Sequence, residues 1–220
     1  MSKPKKVLLI VGLVIGFIFL AGGVGSFIYV RTFIRIYRVP TGAMMNTIIP
    51  GDRILTILDA QGNLNRGDIV VFKLPTDPGV IYIKRIIGLP GETILLRGSK
   101  VFINGKELPE ARTYINLSND VLADPGRPFP EISREGEGNY SVYYTKHEDS
   151  SDEIIGAKYA VVEPFVIPQG HYFLLGDCRD NSLDSRFWGT VPRGLIIGRG
   201  LMIYDSTAPG GEKRALTKLR

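Results

Sequence analysis

The residue best placed to do chemistry is Lys84, in the run Tyr82-Ile83-Lys84-Arg85-Ile86-Ile87-Gly88-Leu89-Pro90-Gly91-Glu92. The apolar, β-branched residues around it read as a strand, and alternation puts Lys84 on the same face as Tyr82 and Ile86. A lysine among apolar groups loses hydration, which penalises the ammonium and lowers its pKa. The neutral amine can then act as general base towards a hydroxyl. An isolated strand lysine is more often an ordinary surface residue, so this reading depends on what other segments bring to it. The run Val39-Pro40-Thr41-Gly42-Ala43-Met44-Met45-Asn46-Thr47, followed by Pro50-Gly51-Asp52, offers the Thr41 hydroxyl. The run Gly176-Asp177-Cys178-Arg179-Asp180-Asn181-Ser182-Leu183-Asp184-Ser185-Arg186-Phe187-Trp188-Gly189 offers Ser182, Asp184 and Arg186. A loop so rich in Asp, Asn, Ser and Arg needs an ordered hydrogen-bond network if buried, and Phe187 and Trp188 argue for burial. Cys178, the single cysteine, would be nucleophilic beside a base, but a lone cysteine is more often buried and inert. With only two histidines, His147 and His171, a Ser-His-Asp triad or a His-rich metal site has few parts to draw on.

The order of these three segments, behind an apolar N-terminal stretch, resembles type I signal peptidases (leader peptidases), serine proteases with a Ser/Lys dyad. The match covers most of the chain outside one polar stretch. The resemblance implies Lys84 as general base and Thr41 as a stabiliser of the oxyanion, beside the backbone N–H of residue 43. It implies that Ser182 hydrogen-bonds the lysine amine and that Asp184, Arg186 and Arg85 support the site. It also places Ala43 where the family has its nucleophilic serine, and Asn46 where the family has proline. A methyl group cannot attack a carbonyl. The chain is therefore an inactivated variant, an enzyme attacking through Thr41 or Ser182, or a family member that binds signal peptides or regulates an active paralogue. The implied substrates are secreted preproteins with small residues at the −1 and −3 positions. No metal and no organic cofactor is implied. The implied location is the bacterial inner membrane, in contact with lipid, with the catalytic-type domain outside the cytoplasm.

The elements that must position these residues can be read from the rest of the chain. Val7 to Val30 carries no charged residue and as a helix would extend roughly 36 Å, enough to span a bilayer. Lys3, Lys5 and Lys6 before it are balanced by Arg31, Arg35 and Arg38 after it, so charge alone does not orient the span. After it the chain is mainly β. Strands are predicted over 52–58, 69–72, 80–87, 140–144, 160–167, 172–175 and 195–204, with an Asn-Gly hairpin turn at Asn104-Gly105. No helical periodicity is evident beyond the anchor.

The stretch 108–158 is polar and poorly periodic, and reads as a surface excursion within an inserted β subdomain. Its acidic run, Glu148, Asp149, Asp152 and Glu153, lacks the ligand spacing of a calcium loop. The expected organisation is a basic N-terminus (1–6), a signal anchor (7–30), a first catalytic-type β part (31–97), an inserted β subdomain (98–168), a second catalytic-type part (169–205) and a basic tail (206–220). The net charge of +5 is not gathered into a nucleic-acid-binding tract. Lys213, Arg214, Lys218 and Arg220 in the tail are expected to meet lipid headgroups or solvent.

Overall fold

The computed structural model describes residues 23, 31–58, 62–115, 131–144, 157–209 and 211–219. The chain divides into two units, Met1–Arg35 and Ile36–Arg220. Of the first, only Gly23 and residues 31–35 are described, so the expected anchor lies outside the described residues but for Gly23. Among the described residues no helix is long and apolar enough to cross a membrane.

The rest is mainly β. In chain order the strands are β1 (Ile34–Arg38), β2 (Asp52–Leu58), β3 (Ile69–Leu74), β4 (Asp77–Gly88), β5 (Thr93–Arg97), β6 (Lys100–Ile103), β7 (Lys106–Glu107) and β8 (Ala111–Ile115). They continue with β9 (Glu131–Glu135), β10 (Ser141–Tyr144), β11 (Phe165–Val166), β12 (His171–Leu175), β13 (Val191–Pro192), β14 (Ile196–Ser206) and β15 (Thr217–Lys218). The main sheet runs β1-β2-β14-β3-β4-β12-β13, with β15 beside β14. A second sheet runs β11-β5-β6-β7 and a third β10-β8-β9. From β2 to β15 the paired strands are antiparallel except β8 with β10.

The main sheet is packed on both faces, which is why β3, Ile-Val-Val-Phe-Lys-Leu, is a nearly continuous apolar run rather than an alternating one. Ile69 packs with Val39, Met44, Ile48 and Ile54. Val70 and Phe72 pack with Ile86, Leu174, Val191 and Ile196. β4 changes character along its length: Asp77 to Ile81 is exposed, whereas Lys84 to Gly88 is buried. β3 pairs along both halves, but β12 reaches only Arg85, Ile86 and Gly88. Upstream of Arg85 no described strand covers that second edge, and a cleft opens there.

Some sequence expectations hold in the structure and others change. The predicted hairpin forms, with Asn104 and Gly105 both at positive φ (51° and 77°), as a two-residue turn between paired strands requires. Of 160–167 only Phe165–Val166 is strand, because Ala160 adopts φ 62° and its carbonyl is used by the Leu96 N–H instead. In the polar stretch 108–158 the strand predicted over 140–144 forms as β10, and two further strands, β8 and β9, accompany it. The stretch buries Tyr114, Ile115, Val142 and Tyr143. The acidic run lies outside the described residues. One short helix, Ser185–Trp188, appears where no helix is predicted, capped by the Asp184 carboxylate accepting from the Arg186 N–H.

Candidate active site

The loop carrying Ala43 is folded back on itself. The Val39 N–H donates to the Asp52 carbonyl (2.9 Å), the Met45 N–H to Gly42 (2.9 Å) and the Ile48 N–H to Met44 (2.9 Å). Met44, Met45, Ile48 and Ile49 are buried and face two different apolar clusters, so the methionines serve as core residues. The Ala43 carbonyl accepts the Cys178 N–H at 3.2 Å, joining this loop to the polar segment after β12. The junction is Gly176. A Cβ there would lie 2.2 Å from Ser182 Oγ and 2.5 Å from the Ala43 oxygen, so only glycine lets the two segments approach this closely.

Lys84 supplies the third wall. Thr41, Ala43, Tyr82, Ile83, Lys84 and Leu183 line one cleft of about 490 Å³. The lysine is 2% exposed, and its ammonium lies 5.3 Å from the centre of the Tyr82 ring. Burial pulls its pKa down to about 8; Arg186 acts in the same direction, while Asp184, Asp177 and Cys178 oppose. Thr41 is exposed on the cleft wall and Ala43 is half-buried. Ser182 stands differently. Its Oγ is buried against Gly176 and, among the described residues, has no hydrogen-bond partner, so it does not bond the Lys84 amine in this structure.

Below the cleft, three buried arginines are each matched to a carboxylate. Arg85 donates through Nε and Nη2 to the two Asp177 oxygens (2.7 and 2.6 Å) and through Nη1 to the Gly67 carbonyl (2.7 Å). Arg186 donates through Nε and Nη2 to the two Asp184 oxygens, both at 2.8 Å, and Asp184 Oδ2 also accepts the Gly176 N–H at 3.0 Å. Burial alone would raise the Asp184 carboxyl, but Arg186 and the Gly176 N–H hold it below its ordinary value. Arg179 pairs with both oxygens of Glu110 (2.8 Å for Nη1 to Oε2) and reaches the Gly176 carbonyl at 3.2 Å. Thus β4, the third sheet and the Ser182 loop are fastened around one centre.

Sequence reading named Arg85, Asp184 and Arg186 but not their setting, and it missed Asp177, Arg179 and Glu110. Asp177 and Arg179 lay within the motif and could have been flagged as charges beside buried aromatics. Glu110, in Leu108-Pro109-Glu110-Ala111, carries no local signal, because its partner is distant in the chain. Among the described residues no cluster of His, Cys, Asp or Glu could hold a metal ion.

Residues 8–204 match the protein family described as signal peptidase, peptidase S26. This chain belongs to the signal peptidase family. Among its relatives, signal peptidase I of Aquifex aeolicus is 33% identical over 81% of this chain and 79% of that protein. Signal peptidase I of Buchnera aphidicola from Acyrthosiphon pisum is 32% identical over 80% of this chain and 70% of that protein. A crystal structure of a signal peptidase I from Enterococcus faecalis is 30% identical, covers 63% of this chain and 97% of that one, and superposes with a TM-score of 0.39. Signal peptidases of this family are serine endopeptidases, and this member has alanine at position 43.

Proposed function

We propose that this protein is a membrane-anchored signal peptidase that cleaves signal peptides from secreted preproteins with Lys84 as general base. One observation carries the reading: a lysine buried to 2% exposure on the wall of the cleft that also holds residue 43. Among the described residues its amine makes no hydrogen bond or ion pair, so its neutral form is accessible near pH 8. A pure binding surface has no evident use for such an amine.

The uncovered edge of β4 gives an extended peptide a strand to pair with, and shallow apolar walls suit small side chains at −1 and −3. The exposed Val80, Ile81 and Leu183 at the cleft support a position at the bilayer surface, in keeping with a signal anchor over 7–30. In the same reading 1–6 is a basic N-terminus. Residues 31–97 and 169–205 form the extracytoplasmic catalytic-type domain, 98–168 an inserted β subdomain and 206–220 a basic C-terminal tail.

For turnover, a hydroxyl oxygen attacks the scissile carbonyl and Lys84 Nζ takes its proton. The lysine then protonates the leaving amine, and water hydrolyses the acyl-enzyme. With Ala43 at the family's serine position, the hydroxyl is that of Thr41, which lines the cleft; Ser182 Oγ is buried away from it. The backbone N–H of residue 43 remains available for the oxyanion. Ala43 itself favours a second reading, in which the chain binds signal peptides, or regulates an active paralogue, without cleaving.

Cleavage of a preprotein by the full-length protein in detergent separates the two. Under the first reading the unaltered chain cleaves, and Lys84→Ala lowers the rate about 100- to 10,000-fold without unfolding the domain. Thr41→Val abolishes the acyl-enzyme. Cleavage seen only after Ala43→Ser would leave the binding reading standing.

A further inference from the structure

The segment after β14 is not a free basic tail. Arg214 donates through Nη2 to Asp52 Oδ2 at 2.8 Å, through Nε to both Asp52 oxygens at 3.2 and 3.3 Å, and through Nη2 to the Thr47 carbonyl at 3.1 Å. Asp52 is fully buried and accepts the Ile49 N–H at 3.0 Å as well. The Thr207 N–H donates to the Gly51 carbonyl at 2.9 Å. Gly51 itself, at φ 97°, approaches so closely that a Cβ would stand 2.9 Å from the Ala208 nitrogen. Leu219 completes the cluster of Val39, Met44 and Ile48. All these contacts fall on one loop, 39–52, whose outward turn carries Thr41 and Ala43 into the cleft.

The main sheet does not need this strap to close, since β2 and β14 already pair from Asp52 with Ser206 to Leu58 with Gly198. What the strap adds is a fixed height for the loop. Arginine suits that task because its planar fork sets both distance and angle to a carboxylate, where an ammonium sets only distance.

We propose that Arg214 is a positioning residue for the cleft: acting through Asp52 and the Thr47 carbonyl, it fixes where residues 41 to 43 stand against Lys84. The inference rests on the function proposed above for the reaction it serves. The test therefore has two arms, so that the two ideas can fail separately.

The first arm needs no turnover. The Lys84 13Cε resonance is titrated in full-length protein in detergent micelles, for the unaltered chain, Arg214→Lys, and the charge-neutral pair Asp52→Asn with Arg214→Leu. As the loop loosens and water reaches the amine, the midpoint should rise by about one pH unit in the pair, with the lysine variant between. General loss of stability would not move the midpoint of the folded protein. An unchanged midpoint in the folded variants overturns the proposal, and Arg214→Lys decides alone if the pair fails to fold. The second arm places Arg214→Lys in the Ala43→Ser chain, where kcat should fall about 10-fold with KM altered less than about twofold. Unchanged kcat overturns the proposal. If neither the unaltered chain nor Ala43→Ser cleaves a preprotein, the functional reading falls while the titration still decides the role of Arg214.

Discussion

Lys84 and Arg85 are neighbours on β4 and both are buried, yet the structure treats them in opposite ways. Arg85 meets both oxygens of Asp177, a backbone carbonyl and the face of Tyr140, 4.3 Å from the ring centre. Lys84 meets an aromatic ring and a cleft. The carboxylates nearest Lys84 are already engaged, Asp184 by Arg186 and the Gly176 N–H, Asp177 by Arg85. An arginine cannot shed its proton at any physiological pH, so burying one requires a matched anion. A lysine can escape the cost of burial by becoming neutral. The same desolvation therefore builds a rigid scaffold on one residue and a base on the next.

The comparison breaks most visibly on the arginine side. Asp177→Asn leaves the Arg85 guanidinium buried without a counter-charge, and urea denaturation at pH 7 should show a loss of about 3–5 kcal/mol. Replacing both partners with leucine should cost much less, since no buried charge is stranded. If Asp177→Asn cost under about 1 kcal/mol, the scaffold reading of the paired side would fail.

On the lysine side the sign reverses. The folded pKa of Lys84 is about 8 against its ordinary value of 10.5, so between those pH values the unfolded chain binds more protons than the folded one. Its contribution to stability is therefore lowest below pH 8 and recovers as pH rises towards 10.5. Lys84→Met lacks this penalty. At pH 7 it should be more stable than the unaltered protein by an amount on the order of 3 kcal/mol, and that margin should shrink steadily above pH 8. Equal margins at pH 7 and pH 10 would mean that Lys84 is not desolvated in the fold. In cleavage assays the same titration predicts a rate that climbs as pH rises through about 8.

How far these regions were legible in the sequence follows from the range of the forces involved. Lys84 could be read because its environment is local: the Tyr82, Ile83 and Ile86 pattern both makes the strand and desolvates the amine. The Asn104-Gly105 turn was readable for the same reason. The partners of Arg179 and Arg214 were not, because Glu110 and Asp52 lie 69 and 162 residues away and nothing local marks the pairing. Arg214 in particular read as one more charge in a basic tail, whereas it is bound to a carboxylate with no exposed surface. β8 escaped notice because a short strand in polar sequence shows its burial only once packed; β10 was predicted over 140–144, but its contact with the Ser182 loop was not. The Tyr143 N–H donates there to the Asp177 carbonyl at 2.7 Å, and the Arg179 N–H to the Tyr143 carbonyl at 2.8 Å.

Cys178 allows the smallest and most exacting test of the contrast. It follows Asp177 in the chain, and its charged form would raise the Lys84 pKa. The thiol is fully buried, however, and burial, with Asp180 next to it, pushes its pKa up to about 12. Across the range where Lys84 titrates it is therefore neutral and exerts no field of consequence. Cys178→Ala should move the Lys84 midpoint by less than about half a pH unit. In the unaltered protein the thiol should resist alkylation at pH 8 until the fold is opened by denaturant. A larger shift would show that a thiolate shares in setting the base and that burial alone does not account for it. No shift would assign the low pKa of Lys84 to desolvation, the property in which it differs least from Arg85 and from which the two residues draw opposite roles.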